Sequence, residues 1–122
     1  MTKLQLAGLR QQVRDLKGRR TTLEQAVVRR HHPMLAASLL ERRFRPGGPV
    51  AYYLSIPHPK TSRHRYVRKA ELDRVQRETR AWREFSEAMA EWVRVNAEIA
   101  RLLRQIGRGQ CRKIDLTPRR SQ

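Results

Sequence analysis

Between Arg42 and Lys69 the chain carries eight basic residues and no acidic one. In the stretch YYLSIPHPKTSRHRYVRK, Tyr52–Lys69, tyrosines are interleaved with Lys60, Arg63, Arg65, Arg68 and Lys69. Cations beside aromatic rings suit nucleic acid. A guanidinium pairs bidentately with phosphate, and a phenol ring offers a face on which a base can stack. Side chains alternate along a strand, so Arg63, Arg65 and Val67 share one face while His64, Tyr66 and Arg68 share the other. The expected arrangement has Tyr53 and Tyr66 stacking on bases or sugars while Lys60, Arg63 and Arg65 meet phosphates. Arg42, Arg43, Arg45, Arg68 and Lys69 would extend that cationic surface. A two-stranded ribbon also matches the width of a duplex major groove. The plainer alternative is that the tyrosines pack on helices and the arginines are solvated.

Other chemistries fare worse. The run Arg63-His64-Arg65-Tyr66 holds the ingredients of phosphotyrosyl transfer, a tyrosine nucleophile with cations to stabilise a pentavalent phosphate. Its residues are consecutive, however, so alternation sends Arg65 and Tyr66 to opposite faces. Apart from Asp15, Glu24, Glu41 and Asp115, every acid lies between residues 70 and 107, where ion pairs account for it, and no carboxylate cluster suggests a two-metal nuclease. His31 and His32 are adjacent, hence about 100° apart on a helix. His58 and His64 approach across a hairpin, but two ligands are few for a metal. The single Cys111 makes neither an internal disulfide nor, alone, a good metal site. The expectation is a protein that is not an enzyme and uses no metal or cofactor.

The elements that must position these residues follow from periodicity. Leu6, Leu9, Val13, Leu16, Arg20, Leu23 and Val27 alternate by three and four, a helical seam with one polar breach at Arg20. Arg29, Arg30 and His31 suit the carboxyl end of that helix, and Pro33 stops it. Its outward face offers Arg10, Arg14 and Lys17 to phosphates; a solvated helix face is the alternative.

A second seam runs through Leu72, Val75, Thr79, Trp82, Ser86, Met89, Val93, Asn96, Ala100 and Leu103, flanked by Phe85, Trp92, Ile99 and Ile106. An apolar face that wide is closer to a bundle helix than to a two-stranded coiled coil. Opposite charges four apart, such as Arg74–Glu78, Arg80–Glu84 and Arg94–Glu98, support it, and Gly107 and Gly109 suit its exit. Between the helices, Ser38–Phe44, Ala51–Ile56 and Arg63–Val67 read as three short strands. Pro46-Gly47-Gly48-Pro49 and Pro57-His58-Pro59-Lys60-Thr61 are the turns.

The predicted fold is therefore α+β and mostly helical. It comprises an N-terminal helix over 3–31, a small antiparallel sheet or hairpin within 38–67, and a long C-terminal helix over 69–106. The helices pack as an antiparallel helical hairpin or a coiled coil, and a flexible basic tail over 108–122 adds Arg112 and Lys113 to the candidate phosphate contacts. The first helix is too short to cover the second, so Trp82, Phe85, Met89, Trp92 and Ile99 form either core or an interface. Self-association, or docking on a larger protein, is expected.

Composition narrows the partners. The 122 residues are 39% hydrophobic and 32% charged, enough for one domain with a modest core. The net charge of +17 attracts polyanions, nucleic acid first and an anionic membrane surface a distant second. Arginine outnumbers lysine 23 to 5, which selection for bidentate contacts and codon bias in a GC-rich genome explain equally well. Residues 70–107 nevertheless hold seven basic and seven acidic residues, a balance that uniform bias does not produce. No apolar run approaches a membrane span, and Met1-Thr2-Lys3-Leu4-Gln5 begins no signal-peptide core, so a cytoplasmic setting is expected.

The segments GPVAYYLSI and TSRHRYVRKAEL, followed by WREFSEAMAEWVRVNAEIARLL, resemble a family of small uncharacterised bacterial proteins encoded near transposases and other mobile elements. The likeness covers roughly residues 38–106, with S-R-x-R-Y-V as its most distinctive part. Relatives commonly carry a cysteine cluster before the Tyr-rich strand, where this chain reads FRPGGP. The resemblance implies a mobile-element setting and tips the expected ligand from RNA towards DNA; it implies no chemistry. The rival expectation is a helical adaptor that docks on an acidic protein or a ribonucleoprotein enzyme, or that binds structured RNA.

Overall fold

A computed structural model of the chain describes residues 1–118. Helix α1 spans Lys3–Val28, strands β1, β2 and β3 span Ser38–Arg42, Ala51–Ile56 and Arg63–Val67, and helix α2 spans Leu72–Gly109 behind a 3-10 turn at Lys69–Glu71. The strands form one antiparallel sheet in the order β1-β2-β3. The chain is α+β and mostly helical, as its periodicities predict. It divides into two compact units, one of residues 1–24 with 92 onward and the other of residues 25–91.

In the first unit α1 packs antiparallel on the second half of α2. Thr2 opens α1 with a capping box: its hydroxyl accepts the Gln5 backbone N–H at 3.1 Å, and its own N–H donates to Gln5 Oε1 at 2.8 Å. The seam of α1 faces inward as its spacing requires, with Val13 and Leu23 buried. Opposite them lie Val95, Ile99 and Leu102, the last 1% exposed. Here the expected seam of α2 is corrected. Val93 and Leu103 point to solvent, at 58% and 48% exposure, and the core comes from Ile99 of the flanking stripe together with Val95 and Leu102, which lie in neither expected row. The polar breach at Arg20 finds partners: its guanidinium donates to Asn96 Oδ1 at 3.2 Å and lies 3.7 Å from Glu24. Glu24 in turn accepts the Trp92 indole N–H at 3.0 Å.

The second unit is the sheet laid on the first half of α2. Ala37, Leu54, Val67 and Val75 form its core, with Leu35, Leu39, Tyr52 and Leu72 packed around them. The Leu35 N–H donates to the carbonyl of Glu78 at 3.0 Å, tying the chain before β1 to the helix. The turn after β1 carries Pro46 second and Gly47 third, closed by Gly48 N–H to the Arg45 carbonyl at 3.0 Å. Gly47 has φ +72°, the left-handed region that a type II turn requires at that place.

Several boundaries differ from expectation. Helix α1 ends at Val28 rather than residue 31, and Arg30 leaves it to pair with Glu84 at 3.7 Å. Pro33 also disfavours helical backbone in the residue before it. Strand β1 ends at Arg42, because the Pro46–Gly47 turn must begin soon after. Gly107 does not end α2, which runs on to Gly109 with Met1 packed against that last glycine. The expected tail thus begins in helix, and its residues 119–122 lie outside the described residues. Two anticipated ion pairs form differently: Glu84 takes Arg30, and Glu98 takes two hydrogen bonds from Arg101 in place of Arg94, holding its carboxyl below the usual value. No helix is long and apolar enough to cross a membrane among the described residues.

Candidate nucleic-acid interface

Register decides which side chains share a face. Leu40 stands opposite Tyr53, which stands opposite Tyr66, so these three lie on one side of the sheet. Leu39, Leu54 and Arg65 are likewise aligned, and so are Glu41, Tyr52 and Val67. Because Leu54 and Val67 are buried against α2, this second side is the helix side. The other side is open. It carries Leu40 and Arg42 from β1, Tyr53 and Ser55 from β2, and His64 and Tyr66 from β3.

Aromatic rings cross that open side. Phe44 meets Tyr53 edge to face at 6.4 Å between centroids, and Tyr53 meets Tyr66 in the same manner at 5.6 Å. Phe44 is 75% exposed and Tyr66 56%. The guanidinium of Arg42 lies over the Tyr53 ring, 5.4 Å from its centroid, and its Nη2 is 2.9 Å from Nδ1 of His64. A guanidinium only donates, so Nδ1 is the acceptor. One side chain from β1 thus spans the middle strand to reach the third. The cation–π contact and the hydrogen bond hold it there while leaving further N–H groups free.

No carboxylate shares this side. The one acid within the strands, Glu41, belongs by register to the helix side. An exposed row of rings with a fixed cation and no competing anion can take a polyanion that also has flat apolar parts.

The anticipated set is divided by this geometry. Tyr53, Tyr66 and Arg42 come together. Arg63 and Arg65 do not join them: both fall on the helix side of edge strand β3, exposed, and Arg65 borders a cleft also lined by Glu71, Arg74 and Glu78. Alternation is the cause, since Tyr66 opposite Tyr53 forces its neighbour Arg65 to the far side. Arg43 turns back to donate to the Gly48 carbonyl at 3.0 Å, and Arg45 packs against Gly48 within the turn. Lys60 lies exposed in the β2–β3 turn, its N–H directed at the His58 ring at 3.3 Å. Arg68 and Lys69 are exposed where β3 passes into the 3-10 turn.

Elsewhere, Arg10, Arg14 and Lys17 stand exposed along α1, Arg14 donating to Gln11 Oε1 at 2.7 Å. Arg112 and Lys113 are exposed just beyond α2.

No family model, curated protein or solved structure matches the chain.

Of the apolar set on α2, Trp82 and Phe85 stack at 5.5 Å, both half-buried. Met89 is half-buried, Trp92 is tied to Glu24, and Ile99 is enclosed in the first unit's own core at 4% exposure, which leaves it no surface for a partner. Among the described residues no three His, Cys, Asp or Glu side chains converge as metal ligands would. Phe44 is the member of the site that sequence reasoning missed. Its signal was available, for Leu40, Arg42 and Phe44 keep the same two-residue step.

Proposed function

We propose that this chain is a non-catalytic nucleic-acid-binding protein that uses the open side of its sheet as the primary contact. One observation carries the reading: exposed aromatic rings and a fixed guanidinium share a sheet face free of carboxylates, on a chain of net charge +17. Rings would meet bases or sugars and Arg42 a phosphate. Arg10, Arg14 and Lys17 on α1, with Arg68, Arg112 and Lys113, would add electrostatic grip through counterion release. The resemblance to proteins encoded near mobile elements makes DNA the first ligand to test. The setting to examine is an accessory role beside a mobile element's larger enzyme, in the cytoplasm.

The test is fluorescence anisotropy against duplex DNA, single-stranded DNA and a structured RNA, at low and near-physiological salt. Binding of at least one class should survive physiological salt. Arg42→Ala should weaken that binding about tenfold, as loss of a charge-assisted contact does. Arg65→Ala, at the cleft lined by the carboxylates of Glu71 and Glu78, should weaken it less. Failure to bind any of the three at low salt overturns the proposal.

A second reading, a helical adaptor, has its own support in the half-buried Trp82–Phe85 stack and in Val93 exposed on α2. It would lead if Trp82→Asp abolished capture of a partner protein while nucleic acids failed to bind.

A further inference from the structure

We infer that the open side of the sheet takes unpaired bases, so that its ligand is a single strand and not a duplex. This deepens the nucleic-acid reading and rests on it. Three features of the face point there, the first being which ring faces are free. Tyr53 lies under the Arg42 guanidinium and makes T-shaped contacts with both Phe44 and Tyr66, so it is the ring most enclosed by neighbours. Phe44 and Tyr66 flank it, both mostly exposed. The site therefore offers two base platforms with a cation between them, and Tyr53 acts as the support that holds Arg42 in place.

Second, a base inside a duplex has neighbours stacked on both faces, about 3.4 Å apart along its strand. It presents only its edges to a groove, and an exposed ring face gains nothing from it. Stacking needs a base that has left the helix, and each such stack adds substantially to affinity whatever the base.

Third, the hairpin is not a free ribbon. Strand β1 pairs along β2, and α2 packs beneath the sheet. A major groove about 12 Å wide admits two strands or one helix. Three strands spaced about 4.8 Å apart, with side chains at both margins, exceed it. A broad sheet face suits a strand laid across it, with bases turned down onto Phe44 and Tyr66 and backbone passing Arg42 and Arg68.

The full chain is titrated by fluorescence anisotropy into labelled oligo(dT), labelled oligo(U) and a labelled mixed-sequence DNA duplex, with circular dichroism as the check on folding. Phe44→Ala and Tyr66→Leu should each weaken single-strand binding at least about fivefold, the low end for one lost stack. Duplex affinity should stay within about twofold, because a ring away from the groove adds nothing to phosphate contact. Tyr66→Phe keeps the ring and should keep the single-strand affinity that Tyr66→Leu loses.

Comparison of oligo(dT) with oligo(U) tells whether DNA or RNA is the preferred strand. If both nucleic-acid classes bind and ring removal leaves single-strand affinity unchanged, the platform is overturned while nucleic-acid binding stands. If ring removal weakens duplex and single strand equally, the single-strand assignment is likewise overturned. Failure of every probe to bind at low salt overturns the underlying reading as well. Reduced self-association with intact single-strand binding reassigns the face to a protein contact.

Discussion

Arg42 touches all three strands of the sheet, rooted in β1, laid over Tyr53 of β2 and hydrogen-bonded to His64 of β3. Its position explains why a tyrosine pair alone is an incomplete description of the face: Arg42 covers Tyr53 and thereby leaves Phe44 and Tyr66 as the available rings. At the same scale, the core is decided by single positions in adjacent places along α2. Leu102 is 1% exposed and its neighbour Leu103 is 48% exposed. Leu102→Ala should therefore cost about 2–5 kcal/mol, from lost burial plus the cavity left behind. Leu103→Ala should cost about 0.5 kcal/mol or less, as an open surface change does. Urea unfolding of the two variants checks this, and equal losses would mean that the wrong stripe of α2 has been taken as core.

Among the elements, glycine placement gives a contrast of sign. Gly18 lies inside α1, and a methyl group added there meets nothing within 4 Å. Gly18→Ala should stabilise the chain by about 0.5–1 kcal/mol, because alanine loses less conformational freedom on entering a helix. Gly47, at φ +72° in the β1–β2 turn, also has open space around it. There the backbone itself is strained for any L side chain, so Gly47→Ala should destabilise by about 1 kcal/mol. Thermal melts of both variants separate the two cases, and a loss at Gly18 would contradict its open helical setting. The capping box at Thr2 and Gln5 belongs to this scale too. Its T-x-x-Q spacing is a local signal that the residues carry by themselves. The end of α1 at Val28 is followed by Arg30 pairing with Glu84, a contact far along the chain that local spacing does not announce.

For the molecule as a whole, charge sets the terms of binding. The excess lies outside the balanced stretch 70–107, and Arg10, Arg14 and Lys17, with Arg42, Arg68, Arg112 and Lys113, stand exposed. If each meets a phosphate, affinity for nucleic acid should fall about a thousandfold between roughly 50 and 200 mM salt. Replacing Arg10, Arg14 and Lys17 together by Gln should reduce the slope of log affinity against log salt by about 2, at about 0.7 per contact on a single strand. A slope unchanged by that triple substitution would remove α1 from the interface.

Local rules carried much of the architecture. The three-and-four spacing of α1 picks out Val13 and Leu23 as buried, and β2 and β3 occupy Ala51–Ile56 and Arg63–Val67 as their composition and flanking turns predict. Alternation alone separates Arg65 from Tyr66. What spacing left undecided was settled by contact between elements distant in sequence. Two apolar stripes on α2 were read from spacing, yet packing against α1 buries Val95 and Leu102 from outside both, along with Ile99 of the flanking stripe, and leaves Val93 and Leu103 of the seam exposed. The part of α2 that α1 is too short to cover is not left bare. The sheet covers it, with Leu54 and Val67 packed on Val75. Which side of that sheet stays open, and that Arg42 reaches across it to His64, depends on register between strands and on which face α2 buries, and both are tertiary facts.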